Sequence, residues 1–319
     1  MKTYHEKFCS PADGLSLHLM IAEPESGELK GVIQILHGMC EYVERYLPMM
    51  EYFTSHGYVV AGHDHRGHGD SVKSESDLGW FYDKTGKAIV QDAVAITEFL
   101  KKKYPGTRLT LFGHSMGSMV ARVYLQENDC LIDGLILSGA PTKNPMAGVA
   151  VFLADCVSLC KGARHRSKLL KGLSIGAYEK KFQAEGKAAW LSVSKRNSER
   201  YLADPLCTYV FTSNGFRNLF LLLRNTFRKR DYRTQNPNLP IYFMAGGEDP
   251  VIVSVEAWRA AQEFLRRVGY TDVRSALYEG YRHELLNEDD PTPYLEGMLA
   301  FIEGGVHSAD ELAKTSETK

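Results

Sequence analysis

The chain has 319 residues and a formal net charge of −1, so no global field points to nucleic acid, and the length suits one large α/β domain with an insertion or two domains. No run approaches the roughly 18 apolar residues that a membrane span needs, and Met1 to Phe8 lacks the apolar core of a secretory signal, so a cytoplasmic protein is expected. Six cysteines (Cys9, Cys40, Cys130, Cys156, Cys160, Cys207) contain no C-x-x-C, and Cys156 and Cys160 have no His or Cys pair to complete a zinc site; buried thiols and no metal are expected.

Tyr4 to Pro24 reads as two antiparallel strands, His5–Ser10 and Leu15–Ala22, joined through Asp13-Gly14. Val32 to Leu36 is a continuous apolar run, as in a strand buried on both faces, and it ends at His37-Gly38-Met39-Cys40. A helical stretch from Tyr42 to His56, a strand Tyr58–Ala61 and a polar, glycine-rich loop His63–Ser71 follow. Gly86 to Lys103 places Ile89, Val90, Ala93, Ile96, Phe99 and Leu100 on one helical face. A strand Leu109–Phe112, a helix after Ser118 and a strand Gly134–Ser138 complete this half. From Thr142 to Arg230 no buried strand is expected, only helices; Ala147 to Cys160 reads as an amphipathic one. Ile241–Ala245, a helix over 255–268, a strand Thr271–Tyr278 and a helix Thr292–Glu303 resume the alternation, and the polar tail after Gly304 is expected to be disordered. The pattern predicts a mostly parallel, doubly wound sheet (1–141 and 231–304) with a helical cap (142–230), and chemistry at the carboxyl ends of the strands.

Gly113-His114-Ser115-Met116-Gly117 stands between a strand and a helix, the context a G-x-S-x-G nucleophile elbow requires. A serine hydroxyl needs an imidazole to take its proton, and on this kind of sheet the acid and then the base follow it in the chain. Of the histidines after Ser115, His165 lies in the cap and His307 in the tail, which leaves His283, just beyond a strand, as the base. Asp249, after the strand Ile241–Ala245 and before Pro250, is the expected acid, with Glu248 the alternative. The oxyanion donors are expected to be the backbone N–H groups of Met116 and, from the loop after the third strand, Met39. His37 is expected to brace its loop, and His114 to point away from the nucleophile.

These residues resemble the α/β-hydrolases of the monoacylglycerol lipase, lysophospholipase and serine aminopeptidase S33-like group. The resemblance rests on His37-Gly38-x-x-Glu41-x-x-x-Arg45-Tyr46, Asp64-His-Arg-Gly-His-Gly-x-Ser71, Gly113-His-Ser-Met-Gly117, Gly247-x-Asp249-Pro250 and His283-Glu284. It implies an α/β-hydrolase fold, a lid-covered esterase acting on acylglycerols, lysophospholipids or small acyl esters, and no cofactor. Two positions depart from the pattern: Tyr42 where His is usual, and Ser118 where Gly is usual.

Residues 142–230 hold 17 Lys and Arg against 5 Asp and Glu, a balance of +12, which leaves −13 for the remainder. Basic patches at Lys161–Lys168 and Arg224–Arg230 alternate with apolar Val149–Leu153 and Phe216–Leu223. Two expectations compete: a lid that meets an anionic lipid surface or headgroup, or a solvated face docked on an acidic core. The leading function is a carboxylic ester hydrolase; an amidase or peptidase on the same triad and a catalytically dead binding module are the alternatives. A redox role would call for G-x-G-x-x-G after a strand, and the sequence holds none.

Overall fold

The computed structural model describes residues 1–304; the tail expected to be disordered, with His307, lies outside the described residues. Eight strands form one sheet in the order β1-β2-β4-β3-β5-β6-β7-β8. They are β1 (Lys2–Cys9), β2 (Ser16–Glu23), β3 (Gly31–Leu36), β4 (Tyr58–His63), β5 (Leu109–His114), β6 (Gly134–Ser138), β7 (Ile241–Gly246) and β8 (Val273–Tyr278). β1 pairs antiparallel with β2, and β2 with β4; all other neighbours are parallel. Strands β3 to β7 are buried at every position, because helices cover both faces.

One face carries α1 (Leu47–Ser55), and the other α2 (Ala88–Lys103) and α3 (Met116–Asn128). The helical stretch expected over Tyr42–His56 splits: Val43–Tyr46 is a 3-10 turn and α1 begins next to it, with Pro48 in its first turn. Proline has no N–H to donate and its ring clashes with the carbonyl four residues back, so an unbroken helix cannot pass through it.

Between β6 and β7 the chain is helical, with α4 (Ala147–Lys161), α5 (Lys168–Lys171), α6 (Ala177–Lys181), α7 (Lys195–Ala203), α8 (Pro205–Thr208) and α9 (Ser213–Thr226). The Thr212 side chain caps α9 by accepting from the Gly215 N–H. Phe216, Leu219, Phe220 and Leu222 of α9 belong to the same buried cluster as α2 and α3, so this helix extends the central core. α10 (Val255–Arg267) joins that layer through Trp258, Ala261 and Leu265, and α11 (Thr292–Ile302) covers the other face beside α1.

α4 differs from the amphipathic helix expected. It buries Ala147, Val151 and Ala154, yet its outward face is apolar too, with Phe152 64% and Leu159 89% exposed. Leu169 and Leu173 are also exposed, so apolar surface stands beside the basic patches. The thiols also differ from expectation. Cys40 and Cys207 are buried, whereas Cys9, Cys130 and Cys160 are exposed on the hairpin and helical surfaces where their elements run past solvent. Among the described residues no helix is long and apolar enough to cross a membrane.

Candidate active site

The turn from β5 into α3 sets Ser115 at φ 51°, ψ −115°, a conformation that a non-glycine residue holds only where its surroundings impose it. Those surroundings are closely packed. A Cβ on Gly117 would lie 1.9 Å from the Leu36 carbonyl oxygen, and one on Gly113 would lie 2.7 Å from the Gly117 carbonyl oxygen. Both glycines are needed because the turn is pressed against its own helix and against β3. Ser118, the departure from glycine, donates from its hydroxyl to the Ser115 carbonyl at 2.6 Å and so ties the elbow shut.

His283 and Asp249 come together at the carboxyl ends of β8 and β7. The distance from His283 Nδ1 to Asp249 Oδ2 is 2.9 Å, and both side chains are buried. The second Asp249 oxygen accepts the Val251 N–H at 2.8 Å, which fixes the carboxylate in its turn. Burial alone would lower the His283 pKa; the Asp249 charge and hydrogen bond reverse this and hold it above the ordinary value. Glu248, the alternative acid, is directed away and pairs with Arg282 at 3.6 Å. Gly139, at the end of β6, was not anticipated. A Cβ there would lie 2.8 Å from the His283 ring, so this glycine makes room for the imidazole. A Gly directly after a buried strand is the sequence signal that could have identified it.

Ser115 and His283 line one cavity of about 860 Å³, bounded by Gly38, Met39, Met116 and residues from the inserted helices. Among the described residues, the N–H groups of Met39 and Met116 have no acceptor in the protein. Both residues line the same cavity as Ser115.

His37 braces its loop: Nδ1 bonds the Gly38 carbonyl at 2.8 Å and Nε2 accepts the His65 N–H at 2.9 Å. The His114 ring packs against His283 with centroids 4.7 Å apart. Burial pushes its pKa down to about 3, so it stands as a neutral wall behind the base. On the other side Trp190, from the inserted segment, lies 5.3 Å from the His283 ring. The motif Asp64–Ser71 is architectural: Asp64 accepts the N–H groups of Val43 at 2.8 Å and Asp70 at 2.9 Å, and Arg66 is buried against Asp92. Tyr42, the other departure, donates to Asp204 at 2.8 Å and so links the loop after β3 to the inserted helices.

Ion pairs tie the inserted segment to the remainder: Glu185 pairs with Arg282, and Arg228 and Arg230 pair with Asp231. Arg164 pairs with Asp77 and Arg196 with Asp289, while Arg217 and Lys171 pair within the segment, with Asp155 and Glu179.

The family model described as serine aminopeptidase, S33, matches residues 27–290. The chain is 29% identical over 263 residues to the monoglyceride lipase homolog of monkeypox virus, covering 82% of this chain and 84% of that one. It is 25% identical over 281 residues to the monoglyceride lipase of Homo sapiens, covering 87% and 82% of the two chains. Among solved structures, a thermostable carboxyl esterase from Bacillus coagulans in complex with glycerol superimposes with a TM-score of 0.85 at 26% identity, over 95% of this chain and 99% of that one.

Proposed function

Because the chain belongs to the serine aminopeptidase S33 family of α/β-hydrolases, we propose that it hydrolyses carboxylic esters of lipid character through an acyl-enzyme on Ser115. One observation carries this reading: a strained serine and a histidine held 2.9 Å from a buried aspartate line the same roomy cavity. Ser115 Oγ attacks the acyl carbonyl as His283 Nε2 takes its proton. The Nδ1–H donates to Asp249, which fixes the tautomer and stabilises the imidazolium without itself being protonated. The N–H groups of Met39 and Met116 bind the oxyanion; the protonated His283 releases the alcohol, and a water activated by the same base frees the acid. Monoacylglycerols, lysophospholipids and short acyl esters are the candidate substrates, supported by the names of the relatives and by the apolar side chains facing the cavity.

Acyl transfer to water does not fix the leaving group, and the peptidase description of the family model favours an amide as the second reading. A panel of esters varying in acyl length, each with its matched amide, decides between them. Esters are expected to turn over at least about 10²-fold faster in kcat/KM. Amides that match or exceed them would overturn the ester assignment.

Residues 142–230 also form the cap in this reading, and their basic and apolar outer surface meets an anionic interface. The exposed Phe152 and Leu159 beside the basic patches support this reading. With the screening length falling from about 10 Å at 0.1 M salt to about 3 Å at 1 M, kcat/KM for an ester on anionic vesicles should fall steeply with salt. The same ester as a neutral monomer should change little, and reversing Lys161, Arg164, Arg166 and Lys168 to Glu should flatten only the first dependence. Equal salt responses for the two presentations would refute the interfacial role.

A further inference from the structure

The motif His37-Gly38-x-x-Glu41-x-x-x-Arg45-Tyr46 fixes two charged residues, Glu41 and Arg45, that have no part in the acyl-transfer scheme. Arg45 is nearly buried, with 11% of its side chain exposed, and it lies between two buried carboxylates. It grips Glu284 with both terminal nitrogens, at 2.9 and 2.7 Å, and reaches Glu41 Oε2 at 3.2 Å and Asn197 Oδ1 at 3.2 Å. Glu284 directly follows His283 in the chain. Glu41 Oε1 accepts the Gly38 N–H and the Tyr46 hydroxyl, the latter at 2.8 Å. Asn197 of α7 donates to Glu284 at 2.8 Å and closes the ring from the cap side.

The three contacts reach three separate pieces of the site. Glu41 engages the Gly38 N–H, and the next donor along, Met39 N–H, is left without a protein acceptor in the cavity lining. By holding Glu284, Arg45 fixes the residue beside the base. Without the guanidinium, two buried carboxylates would face each other and repel. We propose that Arg45 is a positioning residue: a clasp that holds the loop bearing the Met39 N–H and the loop bearing His283 at the spacing acyl transfer needs, with α7 as its third anchor.

The electrostatics agree with this placement. Despite burial, which would raise it, the Arg45 guanidinium holds the Glu284 carboxyl low, whereas burial and the neighbouring Glu284 charge outweigh Arg45 at Glu41 and leave it raised. The charged and titratable groups bearing on His283 are Asp249, Glu284, Glu41 and, from β5, the neutral His114. Glu284 and Glu41 both favour its protonated form.

The proposal rests on the ester-hydrolase reading and is tested with the full chain on a soluble p-nitrophenyl ester. Arg45→Met keeps an apolar stem and removes the fork. It should lower kcat about 10- to 100-fold, as expected for an oxyanion donor or base displaced by a fraction of an ångström, with KM changed less than about threefold. Arg45→Lys should recover only part of this, because a point charge cannot hold Glu284 bidentately. Glu284→Gln removes a negative charge beside the base, so the acid limb of the kcat/KM profile should move to lower pH; loss of packing alone would lower the profile without moving that limb. Should Arg45→Met fail to fold, Arg45→Lys and Glu284→Gln carry the test. Wild-type kcat in Arg45→Lys together with an unmoved acid limb in Glu284→Gln would overturn the clasp. A wild-type chain that neither turns over esters nor takes fluorophosphonate on Ser115 would overturn the parent reading, and the clasp with it.

Discussion

Ser115→Ala is expected to lower kcat by about 10³-fold or more while the far-ultraviolet spectrum and Tm stay close to those of the parent, because only the nucleophilic oxygen is removed. Fluorophosphonate should add once, and peptide mapping should place the adduct on Ser115; an adduct elsewhere with Ser115 unmodified would sink the assignment. His283→Ala should cost nearly as much, since serine and base act as a unit. Asp249→Asn should cost less, because the amide spoils the tautomer while the 2.9 Å contact that orients the ring can persist. Full activity in Asp249→Asn beside an inactive Glu248→Gln would reverse the choice of acid, although Glu248 faces Arg282.

Acid should destabilise this protein from about pH 6.5 downward, above the ordinary carboxylate range. His63, His68 and His114 are fully buried, and burial depresses them to about 3, 4 and 3 from an ordinary value of 6.5. His37 and His65 are lowered in the same direction. A group with a depressed folded pKa of this kind is neutral when folded and takes up its proton on unfolding. Its contribution is therefore intact above about pH 6.5 and is lost progressively as pH falls toward 3 or 4. At pH 5 each such imidazole disfavours the folded state by about 2 kcal/mol, or about 6 kcal/mol for the three, against a typical total of about 5–15 kcal/mol. His18 and His283, held above the ordinary value by Asp64 and Asp249, act in the opposite sense but are outnumbered. Urea unfolding at pH 7.5, 6 and 5 should show the midpoint falling steeply. Neither ring nitrogen of His63 has a protein partner, so His63→Leu should gain about 2 kcal/mol on the parent between pH 7.5 and 5. A midpoint unchanged over that range would contradict this account.

The layered sheet was legible because its strands are buried on both faces and so read as unbroken apolar runs, as at Val32–Leu36 and Ile241–Ala245. Ser115, Asp249 and His283 could be chosen because the elbow needs glycines at fixed spacing and chain order then removes most histidines. What stayed hidden depends on distance across the fold. Nothing local says that His114 will meet His283, that Gly139 must yield space to an imidazole, or that Trp190 will reach the base from 93 residues away in the chain. The exposed face of α4 was misread for a related reason: periodicity reports which side of a helix is apolar, and this helix is apolar on both.

The place of α9 decides how this protein can be re-engineered. Phe216 and Leu222 sit at zero exposure in the central cluster, so the segment between β6 and β7 is not a detachable module. A truncation that joins β6 to β7 would open a void over α3 and lose the whole fold along with any selectivity. A chimera that exchanges residues 143–211 and retains Ser213–Thr226 keeps that wall of the core intact. Grafts intended to change acyl preference should therefore be cut before Thr212, whose hydroxyl starts the retained helix.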